Sequence, residues 1–440
     1  MTELSACTAG LETPEVQRLQ RRTLRTLAVA QVVGAIGVGV VPSVGVLLAE
    51  QMTASEVWAG LARTGSTVGA AAVGIPLANM AIRYGRRWAL GCGWIVAAVG
   101  SALLVLAAQL QNLPALVLGL LVAGAGSGTQ LQARFAAADL AAPAHKARAL
   151  SLVVSVGAIG AVLGPNLGAP GAAFARRVHL AELGGAFVFA VVALLIAGIV
   201  TIVRLRPDPL LTALEIAEDA AGQGGVGETV ARNNSRRGHA SWGAVMELCS
   251  TNRSAALALT AIVTAQVLMV TVMTMAPVHM AAEGGSLTVV GVSISLHVLA
   301  MYGPASISGM ISDRFGVRVG MCLGVALFAG SFLAAILGVD SMTFVTISLI
   351  LLGLGWSVMS VGGAASLSRV VADDQRTQIQ GFADMASNMT AAGGAFLGGP
   401  IMAVVGYNGL AMIAAVALGP ICLLLFARDQ GGTPVRTTTG

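Results

Sequence analysis

Twelve stretches of about 20 mostly apolar residues follow one another along this chain, and they constrain its fold more than any other feature. An apolar helix of about 20 residues is long enough to cross the hydrocarbon layer of a membrane. Only 10% of the 440 residues are charged, whereas a soluble domain carries about 25%. The sequence therefore predicts an all-α membrane protein with twelve transmembrane helices. The predicted spans are 25–49, 57–80, 88–109, 113–136, 149–171, 184–204, 255–280, 287–310, 317–338, 343–368, 378–405 and 408–427.

One long hydrophilic stretch, residues 205–254, divides these spans into two groups of six. It contains prolines, an acidic segment, a glycine-rich segment and a basic cluster, which is typical of a tether. We therefore predict an N-terminal six-helix bundle at 25–204 and a C-terminal six-helix bundle at 255–427. The segments 1–24 and 428–440 are predicted to be cytoplasmic tails, and the linker is predicted to be cytoplasmic too.

The basic residues predict the orientation in the membrane. With the N-terminus inside, 22 of the 25 Lys and Arg lie on the cytoplasmic side, while Arg176 and Arg177 lie in outer loops and Arg63 lies within a span. Cytoplasmic loops of membrane proteins carry this kind of excess. The net charge of +5 therefore needs no nucleic-acid partner. Many Ala and Arg residues with a single Lys suggest a GC-rich bacterial genome, so we expect a multi-pass protein of the bacterial inner membrane with both termini cytoplasmic.

The sequence gives no sign of enzymatic chemistry. The five cysteines, Cys7, Cys92, Cys249, Cys322 and Cys422, are scattered without the spacing of metal ligands or of a disulfide framework. No nucleophile stands beside an obvious base. We therefore predict no cofactor, no metal site and no enzymatic activity.

Glycines recur at steps of three and four residues in the fifth predicted span, at Gly157, Gly160, Gly164 and Gly168, and Pro165 follows the third of them. On a helix these glycines form a stripe without side chains, against which a neighbouring helix can pack closely. Pro165 removes one backbone hydrogen bond and is expected to bend the helix. Ordinary close packing of membrane helices is the alternative to a gating role.

Two charged loops occupy equivalent positions in the two halves, at residues 78–87 after the second span and 309–318 after the eighth. Both resemble the cytoplasmic loop signature Gly-x-Leu-Ala-Asp-Arg-x-Gly-Arg-Arg of the major facilitator superfamily. The fifth-span run Gly-x-x-x-Gly-Pro-x-x-Gly resembles the antiporter motif of the same superfamily. The resemblance implies two six-helix bundles with a path between them, as in the twelve-helix drug:proton antiporter branch.

The resemblance also implies which residues close the inner gate. Asp313 is expected to reach the N-terminal turn of the fifth span, where a helix dipole favours an acid. The first loop has Ile82 where the signature has its acid, so we predict an asymmetric gate. The implied gating residues are Arg83, Arg86, Asp313, Arg314, Arg318, Gly160, Gly164 and Pro165.

Asp384 is the only carboxylate predicted to lie well inside a span, because the other acids fall in loops, tails or span ends. An ionisable group in hydrocarbon is costly unless it faces a cavity or a partner. We predict that Asp384 exchanges protons, balances a cationic substrate, or does both in turn. The alternative is that its span begins later and that Asp384 caps the N-terminus of the helix.

Apart from arginines at the cytoplasmic ends of spans, Arg63 is the one Lys or Arg within a predicted span, about two turns below its outer end. It is a candidate anchor for an anion, and snorkelling toward the outer headgroups is the alternative. A direct pair with Asp384 is disfavoured, since roughly 12 Å of height separates the two. The superfamily's drug exporters often carry an Arg in the fourth span, but alignment on Gly124 and Gly126 places Leu120 there. We therefore expect any proton coupling to reside in the C-terminal half.

Four further residues are weaker candidates. His297, near the centre of the eighth span, could relay protons or could stay neutral and bonded to a helix carbonyl. Gln266 and Met273 in the seventh span could line a deformable substrate cavity, or Met273 could simply fill space between helices. Asn388, one turn beyond Asp384, is a candidate polar group for substrate binding.

Together these features predict a secondary active transporter that works by alternating access, with proton-coupled efflux of a lipophilic or cationic small molecule as the first reading. A proton-coupled importer of an organic anion, with Arg63 holding a carboxylate, is an alternative. A transport-silent membrane sensor or scaffold is another, although the short tails and linker offer no signalling domain. The expected partners are the small-molecule substrate, protons and the lipid bilayer, and the chain is expected to be monomeric.

Overall fold

A computed structural model describes residues 13–142, 145–221, 242–371 and 373–426, and within these ranges the chain is helical with short connecting turns. The predicted C-terminal tail and residues 222–241 of the predicted linker lie outside the described residues, as do residues 1–12. The first helix begins at Pro14, capped by Thr13, so residues 14–24 of the predicted tail are helical. Two further helices, Pro209–Ala221 and Trp242–Thr251, flank the undescribed centre of the linker.

Ten described helical segments are long and apolar enough to cross a membrane. One of them, Phe382–Leu425, contains two consecutive spans, and the shorter apolar helix Leu287–Tyr302 adds another, which gives the predicted twelve. Spans 1 to 6 are Pro14–Thr53, Glu56–Tyr84, Arg86–Leu110, Leu113–Ala138, Lys146–Leu163 continued by Gly164–Leu167 and Gly168–Arg177, and Gly184–Arg204. Spans 7 to 10 are Arg253–Ala282, Leu287–Tyr302 continued by Ala305–Phe315, Val317–Leu337 and Met342–Val370. Spans 11 and 12 lie in Asp373–Val416 and Gly419–Phe426.

Local breaks fall where the residue chemistry weakens the helix. Pro165 lies in a short 3-10 segment, Gly164–Leu167, so the α-helix of span 5 is interrupted at the proline where a bend was predicted. Span 8 is interrupted at Pro304. Spans 11 and 12 are separated by Gly406, whose φ of 70° lies in the left-handed region that glycine tolerates.

We call the end of the molecule at which span 1 begins and span 12 ends the termini side, and the opposite end the far side. On the far side the two bundles meet closely. The backbone oxygen of Glu56 in span 2 lies against Gly399 in span 11, and Gly60 lies against the carbonyl oxygen of Ala395. Any side chain at either glycine would overlap the opposite backbone, so these glycines permit the contact.

A second far-side contact joins span 5 to span 8. Gly291 lies against the carbonyl oxygen of Pro165, 2.7 Å from where its Cβ would stand. The Asn166 amide donates a hydrogen bond to Ser295 Oγ at 2.6 Å, and Ser295 Oγ donates to the Val162 carbonyl oxygen at 2.6 Å. These two seams, span 2 with span 11 and span 5 with span 8, close the far side.

The glycine stripe of span 5 faces span 1 of the same bundle. Gly160 lies against the carbonyl oxygen of Val32, and Gly164 lies against that of Ile36. The stripe therefore packs helices within the N-terminal bundle. This contact gives no support to the predicted gating role of Gly160 and Gly164, which stays a prediction. The Val162 carbonyl oxygen and the irregular segment that follows, from Pro165, reach the other bundle.

The charged loops on the termini side are tied to their own bundles. Arg86 pairs with Asp139 at the end of span 4, with Nε 2.9 Å from the carboxylate, and both side chains are only 13% exposed. Arg318 donates to the carbonyl oxygen of Leu425 in span 12. Arg83 is exposed, and Arg314 is exposed above the ring of Phe315. The side chain of Asp313 lies outside the described part of the structure.

Candidate transport cavity

A cavity of about 590 Å³ lies between the two bundles, in the middle of the molecule, and a larger one of about 1080 Å³ adjoins it. Both are lined by Arg134, Val154, Ala158, Tyr302 and Asp384, so they form one continuous space. The larger part, which we call the annex, extends to the first turns of span 5 and the last turn of span 4. Its apolar lining includes Phe135, Leu150, Ile159, Val162, Leu163, Val298 and Leu299. The space therefore reaches toward the termini side, while the far side is closed.

The cavity holds three charged side chains. Arg63 comes from span 2, Arg134 from span 4 and Asp384 from span 11. The described residues form two ion pairs within 4.0 Å, Arg86 with Asp139 and Arg176 with Glu182, so none of these three groups has a counter-ion in contact. Arg134 is the electrostatic neighbour of Asp384. The arrangement leaves two guanidinium groups and one carboxylate directed to the same space.

The helix geometry explains how Asp384 comes to line the cavity. Its helix begins at Asp373, so Asp384 lies three turns inside it and is not an N-terminal cap. The Asn388 amide donates to the Asp384 carbonyl oxygen at 2.8 Å, and Asn388 lines the same wall. Arg63 also lines the cavity, which argues against the snorkelling alternative. Arg63 and Asp384 form no direct pair, as their depths suggested, yet they share one space.

A buried amide adds a polar group to this wall. Gln31 in span 1 is 5% exposed and lines the cavity, and its Oε1 has no hydrogen-bond partner among the described residues. A buried acceptor without a partner is costly. A ligand that donates a hydrogen bond to Gln31 would remove that cost.

His297 lies away from the cavity, in the interior of the C-terminal bundle. Its side chain is fully buried, and Nδ1 is 2.7 Å from the carbonyl oxygen of Leu349 in span 10. This is the bonded arrangement that was the alternative to a proton relay. The predicted proton-coupling role of His297 has no geometric support, since it does not face the path between the bundles.

Two other candidates also lie behind the cavity wall. Met273 belongs to the hydrophobic core of the C-terminal bundle and is 7% exposed, so it fills space between helices. Gln266 accepts a hydrogen bond from the Trp356 indole at 2.7 Å, and Trp356 packs edge-on against Tyr302 of the cavity wall. Gln266 therefore supports the wall from behind instead of contacting the cavity.

Arg134 is the site residue that sequence reasoning missed. It lies four residues before the end of span 4, where it was counted with the cytoplasmic loop. Ser127, Gln130, Leu131 and Arg134 all line the cavity. Their spacing of i, i+3, i+4 and i+7 places them on one helix face, and that pattern was the available signal.

Comparison with known proteins decides the family. A model described as Major Facilitator Superfamily matches residues 27–304 and again residues 257–439. The chain belongs to the major facilitator superfamily. This membership agrees with the two bundles, the twelve spans and the cavity between the bundles, and it makes the protein a multi-pass membrane transporter.

Two sequence relatives and one solved structure are similar to this chain. It is 33% identical over 411 residues to YdeG, an uncharacterized MFS-type transporter of Bacillus subtilis (strain 168), covering 92% of each chain. It is 29% identical over 414 residues to the riboflavin transporter RfnT of Brucella anthropi, covering 93% of this chain and 97% of that one. Its fold is similar to the crystal structure of the nucleoside transporter NupG, with a TM-score of 0.67, 15% identity and coverage of 92% and 98%.

Proposed function

We propose that this transporter carries a small organic anion with an apolar body, together with a proton, by alternating access. The supporting observation is the charge of the cavity. Two guanidinium groups, of Arg63 and Arg134, face the same space as one carboxylate, of Asp384, and none has a counter-ion in contact among the described residues. Guanidinium groups bind carboxylate and phosphate oxygens with paired, charge-assisted hydrogen bonds.

The single acid provides the link to protons. With Asp384 ionised, the cavity carries two positive charges and one negative charge; with Asp384 protonated, it carries two positive charges only. Coulomb attraction to an anion is therefore stronger when Asp384 holds a proton, and a low-dielectric cavity strengthens the difference. The anion and the proton consequently favour each other's binding, which is the condition for symport.

Size and walls suit an organic molecule. Ligand pockets of about 300–1,000 Å³ hold drug-sized molecules, and the charged part of the cavity has about 590 Å³. The apolar annex offers space for the body of such a molecule. The relative described as a riboflavin transporter supports a substrate in this size range. We take the termini side to be the cytoplasm of a bacterial cell, because most Lys and Arg residues lie there.

Proton-coupled efflux of a lipophilic cation is the second candidate. It is favoured by the apolar annex and by Asp384 as the only acid lining the cavity among the described residues. A cation would then compete with the proton for Asp384, and exchange would replace symport. The two guanidinium groups oppose this reading, because they repel a cation within the same space.

Transport into liposomes tests the proposal. Purified protein is reconstituted, a pH gradient is imposed in either direction, and uptake of riboflavin, aromatic carboxylates and cationic dyes is followed. We expect a carboxylate to accumulate on the alkaline side, driven by the gradient. Asp384→Asn should abolish this accumulation and keep exchange across equal pH.

Arg134→Gln supplies the second arm of that test. Loss of a charge-assisted hydrogen bond worth about 1.5–3 kcal/mol should raise the half-saturating anion concentration about tenfold or more. Arg177→Gln, at an exposed arginine that lines neither part of the cavity, is the matched control and should change neither the accumulation nor the half-saturating anion concentration. Accumulation of cationic dyes in place of anions would favour the second candidate, and absence of all flux would favour a sensor.

A further inference from the structure

Glu56 contributes a buried carboxylate oxygen to the far-side contact between the bundles. It is the first residue of span 2, and its backbone oxygen lies against Gly399 of span 11. Its Oε2 is buried and has no hydrogen-bond partner among the described residues. The ion pairs of the described residues involve other groups, so Glu56 has no cation within 4.0 Å. The buried, unpartnered oxygen disfavours the ionised carboxylate, while the position in the first turn of span 2 partly stabilises it.

The titratable groups around Glu56 come from two neighbouring helices. Glu50 on Val46–Thr53 repels it, and His279 near the end of span 7 is its electrostatic partner. His279 is held in place, with Nε2 2.7 Å from the Val339 carbonyl oxygen and its ring stacked on Tyr407 at 4.5 Å. The Tyr407 hydroxyl is also buried without a partner among the described residues. Span 11 presents no titratable side chain between residues 391 and 405.

The partial burial of the Glu56 side chain depends on the contact between the bundles. Ala59, one turn further along span 2, is fully buried within the hydrophobic core of the C-terminal bundle. Separation of spans 2 and 11 on the far side would expose both residues to water. Hydration stabilises the ionised carboxylate, whereas closure favours the neutral acid.

We propose that Glu56 is a second proton-binding site, which takes up a proton from the far side when spans 2 and 11 close there and releases it when they separate. Protonation of Glu56 then stabilises the state that is open to the termini side. The site is separate from Asp384, which lies toward the opposite end of span 11. The inference rests on the proposed alternating access, but it requires no particular substrate.

Cysteine labelling of the seam tests this proposal directly. In a variant without native cysteines, Ala59→Cys should react with a maleimide only when the far side opens. Labelling is measured from pH 5.5 to 8.5 without substrate, and Glu283→Cys in the same background corrects for the ionisation of the thiol. We expect the corrected rate to rise at least threefold with pH. Glu56→Gln should remove this rise and keep the rate at its acid value, whereas Glu283→Gln, an exposed acid after span 7, should keep the rise.

Three outcomes would overturn the proposal. The first is a flat profile with Glu56 present, a measurement that does not depend on the folding of any Glu56 variant. The second is a rise that persists unchanged in Glu56→Gln. The third is a rise that persists in Glu56→Gln and disappears in His279→Gln, which would assign the titration to the imidazole. Because no substrate is used, each can occur while the anion cavity proposal stands, and failure of anion transport would leave the labelling result intact.

Discussion

Arg86 belongs to the loop signature at residues 78–87, but its ion-pair partner, Asp139, lies outside that signature. The first loop lacks its own acid, and Ile82 in that place is exposed. Arg86 instead binds Asp139 of span 4 and donates to Gln132 Oε1 at 3.3 Å. Burial raises the pKa of the Asp139 carboxyl, and Arg86 beside it lowers that pKa in part. The pair therefore matters for the stability of the N-terminal bundle.

Arg86→Leu should lower the free energy of unfolding by on the order of 3 kcal/mol at pH 8, because it leaves a mostly buried carboxylate without its cation. In this variant the folded-state pKa of Asp139 lies above the unfolded value, so stability falls as pH rises between the two. The loss should therefore be smaller at pH 5 than at pH 8. Thermal unfolding of the purified protein measures it. The double variant Arg86→Leu/Asp139→Leu should recover much of the loss, and equal losses at both pH values would contradict the explanation.

Asp384 could be recognised as a site residue from the sequence, whereas Arg134 was missed. Asp384 stands out in the sequence because a carboxylate in an apolar span is rare and costly. Arg134 does not, because arginines near span ends usually belong to the loop. Whether Arg134 lies in the loop or lines the cavity depends on its depth and on the helix face that carries it, and both depend on the tilt of span 4 against its neighbours.

Composition predicts the single helices, and small residues indicate which helix faces pack closely. The 3-10 segment at Pro165 and the break at Gly406 lie where proline and glycine weaken the helix. The glycine stripe of span 5 was recognisable, but its partner was not. Any helix can pack closely against a stripe without side chains, so the stripe does not specify its partner. The topology of the bundle places span 1 there.

Gly160→Ala tests the packing of span 5 on span 1. Its Cβ would overlap the carbonyl oxygen of Val32, so the helices must separate. We expect destabilisation of about 1–3 kcal/mol, as for other overpacked sites. Gly74→Ala is the matched control, because no atom lies within 4 Å of its added Cβ. The control should be neutral or slightly stabilising through helix propensity. Equal thermal stability of Gly160→Ala and Gly74→Ala would exclude close packing as the role of the stripe.

For the whole molecule, the seams decide which side is open. Both contacts between the bundles described above lie on the far side, and the cavity extends toward the termini side. Alternating access requires these seams to separate while the opposite side closes. The hydrogen bond between Asn166 and Ser295 lies directly across one of them.

A reversible cross-link across that seam should stop transport. In a background without native cysteines, Asn166→Cys combined with Ser295→Cys should form a disulfide under mild oxidation, because the two side chains are in contact. Flux in liposomes should fall to background and return after reduction. Each single variant under the same oxidant is the control. Full flux with a complete cross-link would contradict separation of spans 5 and 8 during the cycle.

Sequence alone determined that the chain lies in a lipid bilayer, the number of spans, their division into two halves and the presence of a costly acid within an apolar span. Each of these depends on the local cost of placing a residue in hydrocarbon, which can be summed along the chain. Only the tertiary structure decided which polar groups meet, because residues such as Arg63, Arg134 and Asp384 come from spans far apart in sequence. It shows that His297 and Met273 lie in the bundle interior, that Arg134 lines the cavity and that Glu56 lies in the far-side seam. Helix rotation and tilt set these outcomes, and they depend on the packing of all twelve spans together.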